Sequence, residues 1–74
     1  MLSEVVIRST LGWATKDLEK WRTFAGVLRV DGRGLMETGR FREAVLHFSN
    51  AQIAEDFTKT LGEALGVDYK ILRF

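Results

Sequence analysis

The sequence lacks cysteine and contains a single histidine, His47. Without cysteine the chain forms no disulfide and no thiolate metal site. A lone histidine has no second histidine or cysteine with which to share a metal, and no nucleophile–base–orienter set can be assembled around it. We therefore interpret His47 as a residue of a sheet surface.

Long apolar runs are also absent. No stretch approaches the ~18 apolar residues of a membrane span, and the first residues lack the basic start and apolar run of a signal peptide. We expect a cytoplasmic protein with no membrane partner, built as one α+β domain over residues 1–74. Domains of this size bury only ~60% of their unfolded surface, so dimerisation would add useful buried area.

Apolar spacing predicts the first half of the fold. β-branched residues favour a strand over Glu4–Thr10. Leu18, Trp21, Ala25 and Leu28 recur at helical spacing, which predicts an amphipathic helix that begins near Thr15 or Asp17 and ends at Asp31-Gly32. Two strands around a turn near Gly39-Arg40 follow, over residues 35–38 and 43–48.

The second half contains the clearest local signal. Ser49-Asn50-Ala51-Gln52 has the pattern of a capping box, in which Ser49 and Gln52 satisfy each other's backbone amides. An amphipathic helix then ends at Gly66, and Val67, Tyr69 and Ile71 alternate into a last strand. The sequence thus predicts a βαββαβ two-layer sandwich of ferredoxin-like order, with a four-stranded antiparallel sheet and two helices on one face.

The stretch from Phe24 to Gly32 carries the strongest functional signal. Gly26 inside a helix costs about 1 kcal/mol relative to alanine, so it predicts a close backbone contact there. A negative charge on Asp31 at a helix C-terminus would interact unfavourably with the helix dipole, by up to about 1 kcal/mol. A carboxylate held in that position is a candidate cation ligand.

This stretch resembles the LAGLIDADG motif of homing endonucleases. Phe24 takes the place of the first leucine, Ala25 and Gly26 match, and Asp31-Gly32 match the closing acid and glycine. The resemblance implies a homodimer in which Ala25 and Gly26 form the dimer interface. It also implies that Asp31 is the catalytic ligand of a divalent metal, Mg²⁺, if the protein cleaves DNA.

Basic residues follow the motif. Residues 16–42 carry seven basic and four acidic side chains, whereas residues 43–68 carry five acidic side chains and one lysine. Within the basic region, Arg33, Arg40 and Arg42 are the expected contacts to double-stranded DNA. Arg40 and Arg42 could equally protect a sheet edge from aggregation.

The resemblance extends over residues 18–73, through the hairpin, the capped helix and the last strand. A catalytic half-domain carries a further strand and helix that this sequence does not include. We therefore expect a DNA-binding relative of the family, with cleavage left open. Phosphodiester hydrolysis would need two Asp31 residues brought together by the dimer.

A second hypothesis assigns no catalysis. In it the chain is a ferredoxin-like module whose sheet or edges bind a protein partner or a second copy, independently of metal. A third possibility, base stacking on the sheet, has candidates in Phe41, Phe48 and Tyr69, although the basic-aromatic signature of RNA-recognition sheets is absent.

Overall fold

A computed structural model describes residues 3–65 and 69–73, with the side chains of residues 3–60. Neighbouring strands of its sheet are antiparallel and follow the order β2-β3-β1-β4. The elements in chain order are β1 (Ser3–Trp13), α1 (Thr15–Trp21), β2 (Val27–Leu35), β3 (Phe41–Phe48), α2 (Ala51–Leu65) and β4 (Tyr69–Arg73).

Both helices cover the same face of the sheet. Alternate residues of the strands point toward them, because successive side chains of a strand face opposite sides. Burying these side chains is the main favourable contribution to folding. The core consists of Val5, Ile7, Val30, Ala44, Leu46 and Phe48 from the strands, with Leu18, Trp21 and Ala54 from the helices.

Helix α1 is short because the chain leaves the helix after Trp21 and enters a tight turn. At the start of the helix, the carboxylate of Asp17 accepts a hydrogen bond from the amide of Ala14 at 3.0 Å, so this amide has a partner. After Trp21, the amide of Phe24 donates to the carbonyl of Trp21, and Gly26 adopts a φ of +86°. This left-handed conformation starts strand β2 at the next residue.

Helix α2 begins one residue later than the capping pattern predicts. The side chain of Asn50, and not that of Ser49, accepts a hydrogen bond from the amide of Ile53 at 2.9 Å. Asparagine is among the strongest N-cap residues, and its acceptor here reaches the third helical amide. The prediction of a capped helix is confirmed, and the identity of the capping residue was wrong.

The predicted first helix was wrong beyond Trp21. Strand β2 occupies Val27–Leu35, so Asp31-Gly32 lies inside a strand and not at a helix C-terminus. Strand β2 pairs with β3 from Val27 opposite Phe48 to Leu35 opposite Phe41. These backbone hydrogen bonds outweigh the weak helical preference of the segment, because intrinsic propensity is readily overridden by tertiary contacts.

The predicted ferredoxin-like sandwich with a four-stranded sheet is corrected to a sheet of three long strands with one short strand at its side. The described core rests on three long antiparallel strands, β2, β3 and β1, and the five-residue β4 is a short addition beside β1. The two helices are unequal, with seven residues in α1 and fifteen in α2. Predictions for Gly66, Val67 and the side chain of Tyr69 lie outside the described residues.

No helix in the described part of the chain is long and apolar enough to cross a membrane.

Candidate functional site

The sheet face opposite the helices, here called the open face, is covered by charged side chains. Strand alternation places on it every second residue of the three long strands. Two of these, Val6 and Val45, are buried at 6% and 4% exposure although no described helix covers them. The ionisable residues on this face are Glu4 and Arg8 of β1, Arg29, Asp31 and Arg33 of β2, and Glu43 and His47 of β3.

His47 lies between two carboxylates on the open face. Its Nδ1 is 3.2 Å from Oε1 of Glu4, and its Nε2 is 3.0 Å from Oδ2 of Asp31. Arg29 completes this His47 cluster, since its Nε donates to the same Asp31 oxygen at 3.1 Å. A ring protonated at both nitrogens would donate to both carboxylates, whereas a neutral ring donates to one.

The surroundings of Asp31 do not fit a Mg²⁺ site. Its Oδ2 accepts from Arg29 and faces His47, and Glu4 lies on the other side of the imidazole ring. Mg²⁺ requires near-octahedral oxygen ligands that converge on one point. Among the described residues, no group of three or more His, Cys, Asp or Glu side chains could hold a metal ion. The chemistry of this donor set is ion pairing.

Ala25 and Gly26, the predicted dimer interface, lie in the turn between α1 and β2. The close approach predicted at Gly26 is present, but it is within the chain: a Cβ added there would lie 2.5 Å from Cγ2 of Ile53 in α2. The helix in which these two residues were expected to pack against a second copy is not formed.

The predicted DNA contacts lie together at one end of the sheet, where the β2–β3 hairpin turns. Arg8, which the sequence did not single out, joins them: its Nε donates to Oε2 of Glu43 at 2.9 Å. The Nε of Arg33 lies 3.9 Å from the other oxygen of Glu43, and the Nη1 of Arg40 donates to the Gly12 carbonyl at 3.5 Å. We call Arg8, Arg33, Arg40 and Arg42 the arginine end.

The arginine end has a positive field that acts on Glu43. The pKa of this carboxyl is lowered, first by the hydrogen bond from Arg8, and further by the charges of Arg8, Arg33 and Arg42, against the opposing effect of partial burial. The guanidinium side chains stay in solvent, with 67% exposure for Arg8 and 55% for Arg33. They remain accessible to an anion while one carboxylate orients two of them.

The aromatic candidates for base stacking are used in packing. Phe48 is fully buried in the core, and the Phe41 ring lies directly over Gly32. Stacking requires an exposed ring face on the open sheet. Neither described candidate offers one.

A groove opens between the 22–26 turn and α2. Its volume is about 340 Å³, and Phe24, at its wall, is 39% exposed. The lining is mainly apolar, with Asp56 and Thr60 as its polar members. The lining residues are Phe24, Ala25, Ile53, Asp56, Phe57 and Thr60.

Sequence reasoning missed Glu4, Arg8 and Arg29 as parts of the open face. The signal that could have found the face is the alternation of Arg29, Asp31 and Arg33 with Val30 and Gly32, which has a strand's period of two.

Comparison of the chain with protein-family models, curated proteins and solved structures gave no match.

Proposed function

We propose that this protein binds double-stranded DNA through phosphate contacts at the arginine end and does not cleave it. The observation that carries the proposal is that Arg8, Arg33 and Arg42 all act on the carboxylate of Glu43, with Arg40 at the same end of the hairpin. Three of these four arginines are the ones that the sequence pattern selected independently.

Guanidinium groups suit phosphate recognition because their planar donors match two phosphate oxygens at once. Contacts of this kind position a protein on DNA without reading bases, so we expect weak dependence on sequence. Each phosphate contact releases a counterion, and four contacts would give a salt slope of about −3.6 in log K against log salt. Binding is therefore expected at low salt and lost steeply as salt rises.

The proposal includes neither a metal nor the predicted helix-mediated homodimer. Asp31 is held by Arg29 and His47, and Gly26 packs on Ile53 within its own chain. Two Asp31 carboxylates would have to leave these partners before they could share a Mg²⁺ ion. Kinship with LAGLIDADG endonucleases stays a prediction from the motif, and the arginines alone support DNA binding.

The test is fluorescence anisotropy of a labelled duplex, titrated with protein at several salt concentrations. Arg40→Ala/Arg42→Ala removes two charges of the arginine end and keeps both partners of the Arg8–Glu43 hydrogen bond. We expect it to weaken binding about tenfold or more at low salt and to reduce the salt slope by about 1.8. The matched control is Lys16→Ala/Lys20→Ala, which removes two charges from exposed positions of α1.

Wild-type protein that fails to bind at low salt would refute the proposal, as would equal losses in the two double variants. In a parallel assay, supercoiled plasmid incubated with protein and Mg²⁺ is expected to stay intact. Metal-dependent nicking that disappears in Asp31→Asn would instead favour the nuclease hypothesis.

A second candidate function is binding of a protein segment in the groove beside α2. The apolar lining of Phe24, Ile53 and Phe57 next to Asp56 fits an apolar side chain followed by a lysine or arginine. Peptides of that pattern, with matched acidic peptides as controls, can be screened by chemical-shift changes. Shifts at Phe24 and Phe57 with the basic peptides alone would support this candidate, and shifts confined to the arginine end would count against it.

A further inference from the structure

Strand β2 is an edge strand, because it pairs with β3 on one side and none of the described residues forms a strand on the other. An edge of this kind presents unpaired amide and carbonyl groups that can pair with another chain. The strand is nine residues long, and Leu28 and Leu35 near its ends are 61% and 71% exposed. An unprotected edge with these features would promote association between copies.

The β2 edge carries two irregularities. Val27 pairs with Phe48 and Arg29 with His47, so Leu28 is an extra residue that forms a bulge. Near the other end, Gly34 adopts a φ of +71°, outside the range of a regular strand. Bulges and kinks twist an edge away from flat pairing. They leave the middle of the strand, from Arg29 to Arg33, as the part that another strand could use.

Arg22 occupies that middle part. Its Nη2 donates to the carbonyl of Val30 at 3.2 Å, in a partly buried contact. Arg22 is the residue that follows α1, and the 22–26 turn brings it back against the strand it precedes. A charged side chain at an edge carbonyl removes an acceptor and places a cation where an incoming strand would lie.

We propose that Arg22 guards the β2 edge and prevents it from pairing with the β2 edge of a second copy of this chain. Charge complementarity favours this occupant: in an antiparallel pair centred on Gly32, each Asp31 lies opposite the other copy's Arg33. Without the guanidinium on Val30, the two edges can form one continuous sheet. The inference does not depend on DNA binding.

The test compares Arg22→Met with Lys20→Met, which removes the same charge from an exposed position of α1, two residues earlier. Methionine keeps an unbranched apolar stem, so the variant loses the donors and the charge while retaining most of the packing. Sedimentation velocity over a range of concentrations reports association, and amide hydrogen exchange of β2 reports its location. Wild type and Lys20→Met are expected to remain monomeric.

Arg22→Met is expected to associate with increasing concentration, with new protection of β2 amides near Gly32. Arg22→Lys, which retains the charge and one donor group, is expected to stay largely monomeric. The proposal is overturned if Arg22→Met sediments like Lys20→Met, if it associates without protecting β2, or if the wild type already associates through β2. Circular dichroism of each variant confirms that the comparison is between folded proteins.

Discussion

The Nε2 atom of His47 lies 3.0 Å from Oδ2 of Asp31, across the boundary between strands β3 and β2. Arg29 donates to the same oxygen at 3.1 Å. Asp31 therefore functions as an acceptor for neighbouring side chains, and a metal ion would have to displace both. The residue that the sequence marked as a metal ligand is, in the folded chain, one of the charged residues of the open face, opposite Val45 in the pairing of β2 with β3.

Replacing Asp31 is expected to affect stability and not metal binding. Asp31→Asn removes the charge that Arg29 and His47 share, and ion pairs at such exposure contribute up to about 1 kcal/mol. For a domain of this size that corresponds to a fall in Tm of about 4–8 °C at most. The measurement is thermal unfolding with and without Mg²⁺. A Mg²⁺-dependent rise in the wild-type Tm that Asp31→Asn abolishes would contradict this prediction.

Substitution of Gly26 is expected to destabilise the monomer. Gly26→Ala forces a side chain into a φ of +86° and into Ile53, at 2.5 Å from Cγ2. Gly39→Ala is the matched control, because Gly39 has a φ of +87° and a Cβ there would meet nothing within 4 Å. The backbone conformation destabilises both variants by about 1 kcal/mol, and the overpacked contact destabilises Gly26→Ala by about 1–3 kcal/mol more.

Chemical unfolding of the two variants measures this difference. Adding Ile53→Ala to Gly26→Ala removes Cγ2 and is expected to relieve much of the excess destabilisation. Adding Ile53→Val keeps Cγ2 and is expected to relieve less of it. If Gly26→Ala and Gly39→Ala are equally destabilised, the packing of the turn on α2 is not the reason for the glycine.

The elements that sequence analysis located well are those whose signal is local. Strand β1 and strand β3 have runs of β-branched or alternating residues, and α2 has a polar cap followed by a helical apolar stripe. The hairpin turn near Gly39-Arg40 was also found, since its glycine sits where the chain needs a left-handed residue. In each case the pattern and the tertiary contacts favour the same structure.

The segment from Arg22 to Leu35 was mispredicted because two periods overlap in it. Trp21, Ala25 and Leu28 have helical spacing, yet Trp21 ends α1, Ala25 lies in a turn and Leu28 is a bulge residue. Arg29, Val30 and Asp31 begin a strand pattern that the helical spacing concealed. The pairing of β2 with β3 favours the strand over the helix, and that pairing is not visible in the local sequence.

The same error misplaced the candidate site. Asp31 was predicted to be a helix-terminal carboxylate. Its partner His47 is 16 positions away in the sequence, and Glu4, which contacts the other nitrogen of His47, is 27 positions away. Only the register of three strands brings the charges of the open face together. The arginine end could be predicted in part because Arg33, Arg40 and Arg42 flank one hairpin, whereas Arg8 joins them only through pairing of β1 with β3.

Phe57, the one aromatic residue of α2, is expected to contribute strongly to stability. Its ring contacts those of Trp21, Phe24 and Phe48, with centroid separations of 5.8, 5.5 and 5.1 Å. Phe57→Ala is expected to cost about 3–4 kcal/mol, near the lower end for buried phenylalanine because Phe57 is only partly buried. Phe24→Ala, at a more exposed position, is the control and is expected to cost less.

Equilibrium unfolding followed by tryptophan fluorescence suits this comparison, because Trp21 reports on the cluster directly. A larger loss of stability in Phe24→Ala than in Phe57→Ala would show that the 22–26 turn, and not α2, holds the aromatic cluster together.

Glu43 is expected to make stability depend on pH in the acid range. Its pKa is below the ordinary value of 4.5, chiefly because of the hydrogen bond from Arg8. A carboxyl with a lowered pKa binds protons less readily in the folded state than in the unfolded state. Its contribution is therefore complete above the unfolded-state value and is lost as the pH falls through the folded-state value.

Glu43→Gln removes this contribution at every pH, so the difference in unfolding free energy between wild type and variant is expected to shrink as the pH falls below 4.5. Because Arg8 is mostly exposed, the difference near neutral pH is expected to be about 0.2–1 kcal/mol. Glu19→Gln, an equal charge change at an exposed position of α1, controls for the overall effect of net charge. Urea unfolding across this pH range gives the measurement, and a difference that stays constant or grows on acidification would mean that Arg8 does not stabilise the ionised carboxylate.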